Sequence, residues 1–124
     1  MLSTADALDH LRHLVSPWPE VDERVSHGSP TFWGGKKTFC IFHESTDKYG
    51  GRAIWIKATI AAQQDLVEND AERFFVPPYV GVRGWVAVRV DESVDWALVE
   101  QLLEDGYRSV APKRAIAALD AMRR

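Results

Sequence analysis

Four groups of residues have the types and spacings that chemistry requires. Pro112-Lys113-Arg114 stands where a last helix should begin. Free backbone N–H groups and the helix dipole favour an anion there, and two cations in the same turn are awkward without one. A phosphate or carboxylate would relieve them. So would pairing of Lys113 and Arg114 with Glu100, Glu104 or Asp105 of the acidic segment before them. The second group is a sheet face. By strand alternation Trp55, Lys57, Trp85 and Arg89 point the same way, with Trp33 beside them. Aromatics interleaved with cations suit stacking on bases while phosphates are neutralised, at ~1–3 kcal/mol per stacked base. The competing reading is that residues 44–51 and 73–84 fold over this face, or that a second copy of the chain covers it, and the tryptophans are buried.

The third group is His27-Gly28-Ser29-Pro30 with Thr31 beside it. A histidine next to a hydroxyl suggests nucleophile activation, but catalysis also needs an orienting acid and an oxyanion site. Neither is identifiable, so no catalytic residue is assigned and an enzyme is the less favoured reading. Together with Tyr79 and Arg83 of the Pro77-Pro78-Tyr79-Val80-Gly81 loop, and with Lys113, His27 could instead line a groove for a small anionic ligand. Fourth, Asp6, Asp9, His10 and His13 lie at i, i+3, i+4 and i+7, four potential ligands on one helix face. Two carboxylates make a thin metal surface, and solvated Asp–His pairs account for the spacing. No metal and no other cofactor is expected. Cys40 is the single cysteine, which excludes an internal disulfide and a thiolate cluster; it reads as a small core or edge residue. Phosphate-cradling glycine loops, dinucleotide fingerprints and metalloprotease helices are lacking.

The elements that must position these groups follow from periodicity. Ser3 or Thr4 caps a first helix carrying Leu8, Leu11 and Val15, which Pro17 and Pro19 stop. Asp22 to Ser26 is read as a short edge strand. Thr31-Phe32-Trp33, Gly34-Gly35 and Lys37 to His43 form a hairpin turning on the two glycines. A second turn is expected over residues 44–51. A strand then places Ile54, Ile56 and Ala58 on one face and Ala53, Trp55 and Lys57 on the other. Thr59 caps a short acidic helix to about Asn69. The next strand directs Val86, Val88 and Val90 inward. Asp95 caps a helix with Val99, Leu102, Leu103, Tyr107 and Val110 as its buried stripe, and Pro112 opens the last helix. Such an order is satisfied by an α+β fold: a twisted antiparallel sheet with helices packed on one face, one domain over residues 1–124.

A chain of 124 residues with 46% hydrophobic and 27% charged residues fits a soluble globular domain rather than a membrane span. A reducing cytoplasm is the expected compartment, since the N-terminus has no secretion-signal pattern. The net charge of −3 argues against a nucleic-acid binder only if charge is evenly spread. It is not. Residues 24–57 carry Arg24, Lys36, Lys37, Lys48, Arg52 and Lys57 against Glu44 and Asp47, whereas residues 91–105 carry acids and no cation.

Several stretches then match a known pattern in order. They are Ser26-His27-Gly28-Ser29-Pro30-Thr31-Phe32, Gly35-Lys36-Lys37-Thr38-Phe39, and Glu72-Arg73-Phe74-Phe75-Val76-Pro77-Pro78-Tyr79-Val80-Gly81. Arg83-Gly84-Trp85, Asp95-Trp96 and Tyr107-Arg108-Ser109-Val110-Ala111-Pro112-Lys113-Arg114 complete the series. The chain thus resembles the MmcQ/YjbR family from about Leu8 to Arg114. That resemblance implies a fold similar to the bacterial frataxin homologue CyaY, and a proposed DNA-binding role through a "double wing" of hairpins. Relatives often carry a longer, more basic first hairpin tip, where this chain has only Gly34-Gly35.

The resulting expectation is a non-enzymatic nucleic-acid binder, with DNA as partner, acting as a monomer or weak homodimer. Lys36, Lys37, Trp55, Lys57, Arg83, Trp85, Arg89, Lys113 and Arg114 are its candidate contacts. The alternatives are binding of, or minor catalysis on, a small anionic ligand near His27, Tyr79 and Lys113, and a protein-interaction module using the tryptophan face.

Overall fold

Ser3 opens the first helix, α1 (Thr4–Val15), its hydroxyl accepting a hydrogen bond from Asp6 N at 3.0 Å. The structure, a computed structural model, describes residues 1–44 and 51–124. After α1 come β1 (Val21–Ser26), β2 (Ser29–Gly34), β3 (Lys37–His43) and β4 (Ala53–Ile56). Helix α2 (Ile60–Asn69) begins at Thr59, whose hydroxyl accepts from Ala62 N. Then follow β5 (Phe74–Phe75), a 3₁₀ turn (Val80–Arg83) and β6 (Val86–Arg89). Helix α3 (Trp96–Val110) is capped by Asp95, and α4 (Lys113–Met122) starts directly after Pro112. The turn expected over residues 44–51 lies largely outside the described residues.

The six strands form one antiparallel sheet in the order β1-β2-β3-β4-β6-β5. The hairpin between β2 and β3 turns on Gly35-Lys36, with Gly34 still inside the ladder opposite Lys37. Phe32 pairs with Cys40 and Trp33 with Thr38, which leaves Phe39 without a cross-strand partner. This bulge lets Phe39 and Cys40, neighbours in sequence, both enter the core. Burial pushes the Cys40 thiol well up, so the core position also makes it unreactive.

Apolar residues of all four helices meet one face of the sheet. Ala7, Leu11 and Val15 of α1, Val99, Leu103 and Tyr107 of α3, and Leu119 of α4 join Phe32, Phe42, Ile54, Ile56, Val86 and Val88. Leu66 and Val67 of α2 pack at the margin. Trp18 lies against Tyr107 at 5.2 Å between ring centres, and Tyr107 meets Phe39 edge-on at 5.6 Å. The Tyr107 hydroxyl donates to Pro19 O at 2.6 Å, so its polar end is satisfied although the ring is buried.

The second face corrects one expectation. Alternation is as read: Trp55 and Trp85 do lie opposite the helices. However, they are only 5% and 4% exposed, so no open tryptophan platform exists. Together with Ala53 and Ala87 they form a second apolar cluster against which Ile41, Phe75 and Val80 pack. The His43 ring also lies flat on Trp55, at 4.8 Å and 4°. Two indoles on one sheet face present too much apolar area to remain in water, and Phe75 and Val80 cover part of it. Among the described residues no helix is long and apolar enough to cross a membrane.

Helix α3 crosses the sheet very closely at Gly106. A Cβ there would stand 2.8 Å from Lys57 O and 3.3 Å from an Ile56 methyl. Alanine in a helix normally stabilises by ~0.5–1 kcal/mol over glycine. Here the clash is with backbone, so Gly106→Ala is expected to destabilise by about 1–3 kcal/mol, as core overpacking does. Urea unfolding of the variant checks this; a gain in stability would mean that the helix can retreat freely.

Candidate functional site

The strand register sorts the charged residues to the two ends of the sheet. Lys36 lies in the β2–β3 turn and Lys37 opens β3 beside it. Lys57 follows β4 at the same end, its N–H bonded to Phe39 O at 2.9 Å. Arg83 precedes β6, which begins beside the end of β4 through the Ile56–Val86 pair. Gly35 abuts Pro112, so close that an added Cβ would lie 2.8 Å from its ring, and this brings Lys113 next to the hairpin tip. Lys36, Lys37, Arg83 and Lys113 are exposed and Lys57 is half-buried; none forms an ion pair with a described residue. Four separate segments thus deliver to one end five cations that form no ion pair with a described residue.

Arg114 belongs there too but is engaged. Its guanidinium grips both carboxylate oxygens of Glu20 at 2.7 Å each. Glu20 sits in the left-handed region (φ 60°), and its carbonyl accepts from Gly35 N at 3.0 Å. Of the two alternatives read for Arg114, the one that pairs it with Glu100, Glu104 or Asp105 of α3 is not what forms. Glu104 instead serves Arg108 and Arg123, at 2.8 Å each, and Arg108 also reaches Asp120 at 2.6 Å. These pairs clamp α4 onto α3.

Arg89 is also structural. Its guanidinium donates to the carbonyls of Ala71 and Glu72 and lies 4.6 Å over the Phe75 ring, which pins the short β5 edge. Trp33 remains half-buried beneath the Arg24 guanidinium, 4.1 Å from the ring centre, and Arg24 pairs with Asp22. His10 stacks on Trp96 at 4.0 Å and Asp9 meets Arg12, so the polar face of α1 has contacts of its own.

The groove expected between His27 and Tyr79 is not assembled. His27 lies in the β1–β2 turn, with φ 51°, at the far end of the strands from the turn that precedes β6. Lys113 is likewise at the Tyr79 end. That far end carries Glu72, Asp91 and Glu92, along with Asp70, which is paired with Arg73. Sequence reasoning missed a different depression. A groove of about 420 Å³ opens between the start of α2 and the second half of α3, floored by Ile56, Ala58 and Val86, with Lys57, Thr59, Asp105 and Ser109 on its rim. Its signal was slight: Thr59 as a cap and small Ala62 facing α3, with nothing to show that the two helices diverge there.

The clamp under α4 titrates. Arg123 and Arg108 hold the Glu104 carboxyl down from 4.5 to about 2. A group depressed on folding stabilises fully above its unfolded value and loses that contribution as pH falls towards its folded value. Stability is therefore expected to fall between pH 4.5 and 2, with Glu104 contributing on the order of 2–3 kcal/mol. Urea unfolding across this range should show a shallower slope in Glu104→Gln, which is also less stable at neutral pH. An unaltered slope would assign the acid sensitivity elsewhere.

Comparison with known proteins gives two matches. The YjbR family model matches residues 17–109. The crystal structure of Deinococcus radiodurans protein DR2400, a DUF419 domain, superposes with a TM-score of 0.73 at 16% identity, over 97% of this chain and 92% of that one. No curated protein matches the sequence.

Proposed function

The chain belongs to the YjbR family, and from that premise we propose that it binds nucleic acid, DNA foremost, through the cationic end of its sheet. The observation that carries this reading is the convergence of Lys36, Lys37, Lys57, Arg83 and Lys113, none of them in an ion pair with a described residue. Concentrated positive charge without internal partners is the electrostatic footprint of phosphate recognition. Two acids at that end have partners of their own, Glu20 holding Arg114 and Asp22 holding Arg24, while Asp105 accepts from Gln101 on the groove rim that it shares with Lys57. The β2–β3 hairpin and the turn before β6 are the two projections that would straddle a duplex, in the sense of a double wing.

Burial of Trp55 and Trp85 removes them from the contact set, and Arg89 serves the fold. Recognition would then rest on phosphates rather than on a stacking sheet, so it should be weakly sequence-dependent and strongly salt-dependent. A small-ligand reading retains one supporting feature, the α2–α3 groove, whose rim carries both Lys57 and Asp105. Among the described residues that line it, Lys57, Thr59, Asp105 and Ser109, none is a deeply buried polar group.

Titration of labelled duplex followed by fluorescence anisotropy tests the proposal. Each phosphate neutralised contributes about 0.9 to the log–log salt slope, so five contacts give roughly −4 to −5. Replacing Lys36 and Lys37 together by alanine should weaken binding and reduce that slope by about 2. Arg89→Ala should lower the melting temperature and leave the slope unchanged. Absence of binding at low salt, or a slope indifferent to Lys36 and Lys37, would overturn the reading.

A further inference from the structure

The segment between β5 and β6 inverts the usual placement of side chains. Tyr79 is 73% exposed and Val82 84%, with Val76 and Ile60 exposed beside them. Nothing about the backbone here is loose. Val80 N bonds Pro78 O at 2.7 Å with Tyr79 at φ 64°, ψ −72°, a γ-turn of the rare, strained hand. Beneath it the buried Gln63 donates from its amide nitrogen to Gly81 O at 2.8 Å and Trp85 O at 2.6 Å. Gly81 lies against Val76, and Gly84 lies against the backbone of Thr59 and Ile60, each with no room for a Cβ. A buried amide, a strained residue and two tight glycines therefore hold a rigid turn that displays a phenol ring and an isopropyl group to solvent. Strain that persists under such support is a mark of functional segments.

We propose that this turn is a wedge that enters the base stack of a bound nucleic acid, with Tyr79 and Val82 inserting and Arg83 on the flanking phosphate. This inference rests on the nucleic-acid reading above and deepens it. Three observations select this occupant. Residues 76–84 carry one cation, Arg83, and no acid. They lead into β6 at the cationic end, beside Lys57, so the wedge is continuous with the phosphate surface. The side chains project rather than enclose, which fits an opening between base steps better than it fits a small molecule. The favoured ligand is therefore nucleic acid that opens easily, such as a mismatched or partly unpaired duplex.

The test uses the full chain with a short labelled duplex and the same duplex bearing a central mismatch beside a fluorescent base analogue. Wild type should bind the mismatched DNA about tenfold more tightly, within the range of one stacked base, and should alter the analogue's emission. Tyr79→Ala and Val82→Ser should each remove most of that preference while keeping the salt slope. Tyr79→Gly separates function from folding: glycine tolerates φ 64°, so this variant should melt at or above the wild-type temperature yet lose the preference. Equal wild-type affinity for both duplexes would overturn the wedge. So would variants that keep the preference, and the exposed turn would then be reassigned to a protein surface, with the phosphate reading intact if the Lys36/Lys37 variant still weakens binding. No wild-type binding to either DNA at low salt would overturn both.

Discussion

The close crossing of α3 over the sheet is the constraint from which most of the molecule's arrangement follows. At Gly106 the helix backbone rests on Lys57 O and Phe39 O, and at Gly34 the sheet in turn yields to the Tyr107 ring. A Cβ at Gly106 would collide with backbone, and one at Gly34 would press on the Tyr107 ring at 3.1 Å. Once Tyr107 is seated, its hydroxyl fixes Pro19, and the next residue, Glu20, takes a left-handed conformation. From there Glu20 holds the hairpin through its carbonyl and α4 through its carboxylate. A single tight contact thus propagates through Tyr107 and Glu20 to the relative placement of Lys36, Lys37 and Lys113.

That placement explains how an acidic protein can present a cationic surface. Antiparallel strands bring segments that are far apart in sequence to a common end, and their charged residues gather there. The cations at the hairpin end form no ion pair with a described residue, and two acids near them, Glu20 and Asp22, are already engaged by Arg114 and Arg24. At the opposite end the arginines are used differently: Arg52 donates to Val90 O, Arg73 pairs with Asp70, and Arg89 ties down β5. Apart from Arg83, the arginines named here make fixed, directional bonds to carbonyls and carboxylates, whereas Lys36, Lys37, Lys57 and Lys113, each a compact hydrated charge, pair with no described acid. Net charge averages over the two ends and so conceals the distinction.

How much of this was legible in the sequence depended on whether the governing interactions were local. The caps Ser3, Thr59 and Asp95, and the alternation that separates Ile54 and Ile56 from Trp55, are properties of adjacent residues, and the structure has them where periodicity placed them. The two-residue strand Phe74–Phe75 was missed because a pair of residues has no period. Burial of Trp55 and Trp85 was not decidable, since alternation names a face without saying what lies on it. The Arg114–Glu20 pair joins residues 94 positions apart, and an equally plausible set of acids lay one helix away. His27 and Tyr79 were grouped by chemistry alone; the register, which the side chains do not announce, sets them at opposite ends.

The arrangement around Gln63 shows why fold and surface cannot be read separately in this chain. A buried amide is tolerated only when its hydrogen-bonding groups find partners, and the carbonyls of Gly81 and Trp85 need donors for the same reason. Each satisfies the other, so Gln63 belongs to the core on energetic grounds although it is polar. Apolar burial would have favoured the reverse: a leucine at 63 and the turn folded inward over Trp85. That alternative would take the Gln63 donor from both carbonyls, of which Gly81 O keeps the Gly84 N–H, and would require Tyr79 to abandon its γ-turn. The outward display of Tyr79 and Val82 is thus coupled to the polarity of one interior residue, and the side chain that looks least like core is the one that decides what the surface presents.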